Sequence, residues 1–172
     1  MSQTEIILSI VIAVIIGGLA AFLMWKQRQQ YKQDVAEEKR MDAETLKLQL
    51  QAYERLILLA ERIALPNLIN RVNLTGMPLQ DAQYLLVSTI KQEFDYNVTQ
   101  QIYVTPQSWD AVRNLKEQNI LIINQVASFL PAEATGKDLG KSILEMLAQN
   151  PNAALHTVAT EVLSFEAKKL LK

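Results

Sequence analysis

Read from its N-terminus, the chain changes its hydrophobic pattern twice before residue 66. Ile6 to Trp25 is a run of twenty residues without a charge. At 1.5 Å per residue such a helix is about 30 Å long, the thickness of the hydrocarbon core of a bilayer. From Gln27 to Thr45 the pattern is polar nearly all round, with charges of both signs, and neither Gly nor Pro occurs between Trp25 and Leu65. The spacing predicts a membrane span at 6–25 that continues as a solvated helical stalk at 26–45, whose polar part from Gln27 to Thr45 is about 28 Å long. Apolar residues then recur at steps of three and four: Leu46, Leu50, Tyr53, Ile57, Ala60 and Ala64, widened by Leu56, Leu59 and Ile63. A stripe of that width suits a helix packed into its own domain rather than the narrower seam of a coiled coil.

Pro66 lacks the N–H that a helix ladder needs, so it should end or kink this helix. Asn67 to Met77 reads as the least regular segment, with Gly76 and Pro78 turning the chain. Leu79, Ala82, Leu86, Ile90, Phe94 and Val98 predict a helix running to about Gln101. Thr105 before Pro106 is a start signal, because Thr caps and Pro fits the first helical position. Trp109, Val112, Ile120, Ile123, Ala127 and Leu130 form the next apolar face, stopped by Pro131. Thr135 and Asp138 frame a further start, with Leu139, Ile143, Met146 and Leu147 inside. Asn150 and Pro151 break that helix, and Leu155, Val158, Val162 and Phe165 mark the last. No alternating pattern beyond a short Gln101–Thr105 stretch favours a strand. The expectation is an all-α chain: an external tail at 1–5, the span, the stalk, and a compact bundle of about five helices over 46–172.

The first segment reads as a retained anchor, not a cleaved signal. Glu5 is the only charge ahead of the apolar run, and the run ends in Met24 and Trp25, followed by Lys26 and Arg28. Ser2 and Glu5 have capping-box spacing, so the helix should begin almost at the N-terminus. Every Lys and Arg lies after Trp25, and Lys26, Arg28 and Lys32 crowd that flank, which places the N-terminus outside and the remainder in the cytoplasm. The absence of cysteine agrees with a reducing compartment. Ser9, Ala13, Gly17 and Ala21 recur every fourth residue, a stripe of small side chains that would let two spans approach closely and form a homo-oligomer in lipid.

Charge narrows the choice of partner. The seventeen basic residues all follow the run, where seventeen acidic residues (eighteen less Glu5) balance them. A neutral domain with no basic cluster interleaved with aromatics argues against a nucleic-acid partner. Catalytic constellations are equally sparse. His156 is the single histidine, with Ala at 153, so a pair of Glu-x-x-His motifs cannot be assembled, and a Cys- or three-His zinc site has no ligands. Lys141 and Ser142 are neighbours that diverge on a helix. Glu93 with Asp95, and Glu37 with Glu38, read as solvated surface. Five glycines form no phosphate cradle. No cofactor is expected.

Aromatics and amides gather instead around two helix junctions: Tyr53 and Arg55 before Pro66, and Asn97, Gln100, Gln101, Tyr103 and Trp109 near one loop. Such a set can form a partner-binding hot spot, or equally can cap a bundle end and satisfy turn groups. The segments Gln51–Leu56, Glu61–Ile63, Pro66–Leu68 and Gln100–Val104, with Trp109, resemble a family of small, single-span helical proteins from Bacteroidetes that has no assigned activity. The likeness covers about Tyr53 to Leu130 plus the anchor-first layout. It implies a bacterial inner-membrane protein and supplies no catalytic residues. The function expected is a membrane-anchored protein-interaction module, an accessory subunit or scaffold touching the bilayer and other membrane proteins. The alternative is a membrane-localised enzyme whose site the sequence does not display.

Overall fold

The computed structural model describes the backbone of residues 3–149 and 155–171, with side chains from residue 22 onward except those of residues 36 and 38. All six helices found there are α-helical and no strand is present among the described residues. They are α1 (Gln3–Ile63), α2 (Leu65–Arg71), α3 (Leu79–Tyr96), α4 (Pro106–Phe129), α5 (Gly136–Gln149) and α6 (Leu155–Lys169), with a 3-10 turn at Val98–Ile102. The chain divides into two units, Met1–Thr45 and Leu46–Lys172. In the first, Phe22, Leu23, Met24 and Trp25 are exposed in succession, and the polar residues after them are exposed almost throughout. Among the described residues no helix is long and apolar enough to cross a membrane. The side chains of the expected span as far as Ala21, including the stripe Ser9, Ala13, Gly17 and Ala21, lie outside the described ones, as does the Asn150–Pro151 break.

The second unit is a bundle around one apolar core. Leu56, Leu59 and Ile63 of α1 meet Leu68 of α2, Leu86 and Ile90 of α3, Leu115 and Ile123 of α4, Ile143 of α5 and Leu163 of α6, all essentially without exposed surface. Pro66 acts as expected, but through a device the spacing could not reveal. The carbonyls of Glu61, Arg62 and Ile63 lose their helical donors where the ladder stops, and three side chains replace them. Asn67 Nδ2 donates to Glu61 O at 2.9 Å, Arg71 Nη2 to Arg62 O at 3.2 Å, and Asn119 Nδ2, from the middle of α4, to Ile63 O at 2.7 Å.

Three expectations need correction. Asn67–Arg71 is not irregular: Pro66 sits in the first turn of α2, where a missing N–H is harmless, so it starts a helix as well as ending one. The third helix stops at Tyr96, short of Gln101, because Asn97 takes over the last turn. Its Nδ2 donates to Glu93 O at 2.9 Å, and the chain tightens into the 3-10 turn. On α6 the buried positions are Ala159 and Leu163, while Val158 and Phe165 are exposed. Apolar residues cover most of that helix's circumference, so the neighbour, not the pattern, chooses the packed stripe.

The loop signals act locally. Gly76 has φ +74°, a left-handed conformation that suits glycine, and it turns α2 toward α3. Thr105 accepts from Ser108 N at 3.3 Å at the start of α4. Thr135 and Asp138 form a reciprocal box on α5, Asp138 Oδ2 accepting from Thr135 N at 2.9 Å and Thr135 Oγ1 from Asp138 N at 3.4 Å. The hydroxyl and backbone of Thr135 hold the Asp138 carboxyl below its usual range.

Candidate interaction groove between α1 and α3

Tyr53 anchors the junction where the bundle begins. Its ring is buried, and its hydroxyl accepts from Thr105 N at 3.3 Å and from Ser108 Oγ at 3.5 Å, tying α1 to the first turn of α4. Trp109, one turn further along α4, is half-buried and lies on Phe94 with ring centroids 5.0 Å apart, while Lys116 Nζ sits 4.4 Å from the Phe94 centroid on the same aromatic group. Asn97 and Gln100 are buried in the 3-10 turn. These four residues therefore face inward and hold the corner together. Arg55, Gln101 and Tyr103 are exposed.

Around Arg55 the surface is concave. One hollow of about 520 Å³ lies between α1 and α3, lined by Arg55, Leu58 and Arg62 on one side and by Gln92, Glu93 and Tyr96 on the other. A second, of about 590 Å³, continues it past Leu48 and Gln51 toward Gln100 and Tyr103, sharing Arg55 and Leu58 with the first. Leu58 is 59% exposed and Tyr96 75%. Spacing marks out the row: Leu48, Gln51, Arg55, Leu58 and Arg62 follow at steps of three and four, so they line one face of α1 beside the stripe that enters the core. Leu58 and Tyr96 did not stand out in sequence, since both sit beside residues that do enter the core.

An ion cluster closes one end. Glu93 accepts from Arg62 through both oxygens, at 2.9 Å from Nε and 2.5 Å from Nη2, and from Arg71 Nη1 at 3.4 Å. The Arg62 hydrogen bonds hold the Glu93 carboxyl below its usual range against the opposing effect of burial, and the same contacts raise Arg62. Glu93 is thus not a solvated acid but a clip joining α1, α2 and α3. No sequence signal links residues 31 apart, as Arg62 and Glu93 are. Elsewhere, His156 is half-buried, and Lys141 is exposed and ion-paired to Glu145 at 3.7 Å. Among the described residues no group of three or more His, Cys, Asp or Glu is placed to hold a metal ion. The groove offers guanidinium, amide, hydroxyl and apolar surface in one line, which suits recognition of a side-chain row.

Searches of curated proteins and of solved structures find no match. Residues 2–170 match the model of a family of unknown function, DUF7935, so the chain belongs to that family.

Proposed function

We propose that this chain is a membrane-tethered interaction module, an accessory subunit or scaffold of a membrane-associated complex. The observation that carries the reading is the α1–α3 groove, where leucine and tyrosine side chains stand in water beside the guanidinium groups of Arg55 and Arg62. Exposed apolar and aromatic rows of this kind mark surfaces that another protein covers. The tether rests on the uncharged run from Ile6 to Trp25, on Lys26, Arg28 and Lys32 behind it, and on the exposed side chains of Phe22–Trp25. The positive flank argues for an external N-terminus and a cytoplasmic bundle, and the resemblance to bacterial single-span proteins argues for the inner membrane.

Affinity purification from detergent-solubilised native membranes tests the interaction reading. A reproducible partner, lost when Leu58 and Tyr96 are both replaced by Asp, is expected; recovery of the protein alone under mild detergent would overturn it. Orientation is tested separately. A reporter active only in the cytoplasm, fused after Lys172, should be active, and protease added to spheroplasts should spare the bundle.

A further inference from the structure

The bundle leaves a second row uncovered, and its chemistry is the complement of the groove. On α6 the core takes Ala159 and Leu163, so Val158, Glu161 and Phe165, at steps of three and four, face outward together. Val158 is 55% exposed and Phe165 61%. Glu161 is exposed, and no cation lies within ion-pair distance of it among the described residues. This row reads apolar, negative, aromatic, and at its Phe165 end Lys169 Nζ, paired to Glu166, lies 4.4 Å from the ring centroid.

The groove reads apolar, positive, apolar. Arg55 stands at its centre, with Leu58 one turn to one side and Leu48 two turns to the other. Arg55 is exposed, and no carboxylate lies within ion-pair distance of it among the described residues. Across the groove Glu93 is already held by Arg62 and Arg71, and Glu54, which precedes Arg55 in sequence and lines the second hollow with it, makes no ion pair with it. The two rows cannot meet within one molecule, because α6 packs on α4 and the groove opens between α1 and α3.

Direction fits as well. Tyr53 and Ile63 of α1 bond to Thr105 and Asn119 of α4 respectively, so α1 and α4 run parallel. Leu155 of α6 lies near Asn119, and Val162 shares a hollow with Gln107 and Ala111, so α6 runs antiparallel to both. A like-oriented neighbour then offers α6 antiparallel to the groove, with Val158 reaching Leu58, Glu161 reaching Arg55, and Phe165 reaching the hollow beside Gln51 and Tyr103.

We propose that the outer face of α6 in one copy docks in the α1–α3 groove of a second copy, with Glu161 paired to Arg55. The contact joins two different patches, so each copy keeps one groove and one α6 face for further neighbours, and the assembly is a ring or an open row rather than an isologous dimer. The proposal rests on reading the groove as an interaction surface and names its occupant.

The test uses full-length protein in detergent micelles, with oligomer size followed against concentration by sedimentation velocity. Wild-type protein should associate progressively. Arg55→Glu and Glu161→Arg should each weaken that association at least tenfold, and the double reversal Arg55→Glu/Glu161→Arg should restore it. Both positions are exposed, and unchanged circular dichroism will show that the variants fold. Rescue by the double reversal is an outcome that general destabilisation cannot produce. Wild-type protein that stays monomeric at the highest reachable concentration, single reversals that associate as wild type does, or a double reversal no better than the singles would each overturn the proposal. An oligomer held by the apolar N-terminal helix would appear as association indifferent to both reversals. Failure here with a reproducible partner still captured from native membranes would refute the second copy as occupant while leaving the interaction reading intact.

Discussion

Replacing Asn119 by Ala tests how the long first helix is brought to an end. The Asn119 amide is buried and donates to the Ile63 carbonyl at 2.7 Å, across 56 residues of sequence. That carbonyl has no backbone donor, because the chain turns at Ala64 and enters α2 through Pro66. Removing the amide leaves a buried acceptor unsatisfied, which costs about 1–3 kcal/mol. For a domain of this size each kcal/mol lowers the melting temperature by about 4 °C, so a loss of about 8 °C is expected at the middle of that range. Asn67 provides the internal control. It makes the same kind of bond to the Glu61 carbonyl at 2.9 Å, but at an exposed site where water takes over once the amide is gone. Asn67→Ala should therefore cost about 0.5 kcal/mol or less, a shift of about 2 °C. The assay is a thermal melt of the full-length protein in detergent in a Trp25→Phe background, followed by near-ultraviolet circular dichroism so that the remaining tryptophan, Trp109 against Phe94, reports the bundle. If Asn119→Ala melts no lower than Asn67→Ala, burial does not set the worth of these carbonyl bonds, and the account of the α1 ending is wrong.

The other predictions concern packing and charge. Gly136→Ala should lower the urea midpoint by about 1 M, because a Cβ there would lie 2.7 Å from Ala82 Cβ and 2.9 Å from the Leu74 carbonyl, and forcing that contact costs about 2–3 kcal/mol. Leu163→Ala should cost about 3 kcal/mol while Phe165→Ala, two residues on and exposed, costs about 0.5 kcal/mol, measured by denaturant unfolding; equal losses would mean that α6 packs through the other stripe. Glu93 has its folded pKa depressed, so its contribution is present above the ordinary carboxylate value of 4.5 and fades as pH falls through the lower folded value. The melting temperature of wild type should consequently fall more steeply than that of Glu93→Gln below about pH 4.5, and parallel curves would show that the Arg62–Glu93–Arg71 clip carries no pH-linked stability.

What was legible in the chain was whatever a few neighbouring residues decide among themselves. Thr105 with Pro106, Thr135 with Asp138, and Gly76 before Pro78 each complete their own hydrogen bonds or backbone conformation within four residues, and each stands where the spacing puts it. Pro66 was legible as a break and illegible as a beginning, because the missing N–H that ends α1 is the same feature that suits the first turn of α2. Asn119 carried no signal, being one amide in the middle of a long helix whose partner is 56 residues away.

The aromatic and amide cluster divides along the same line. Tyr53, Asn97, Gln100 and Trp109 have partners at the corner that only the folded chain brings together, so they turn inward. Arg55 and Tyr103 stay out and line the open hollows beside α1. On α6, too, a helix with more apolar surface than its neighbour can cover must leave some in water. Val158 and Phe165 are that remainder, and Leu48 and Leu58 are the equivalent on α1. Two such remainders on one chain, each centred on a charge without an ion-pair partner among the described residues and the two of opposite sign, are the complementary surfaces on which the proposed contact between copies rests.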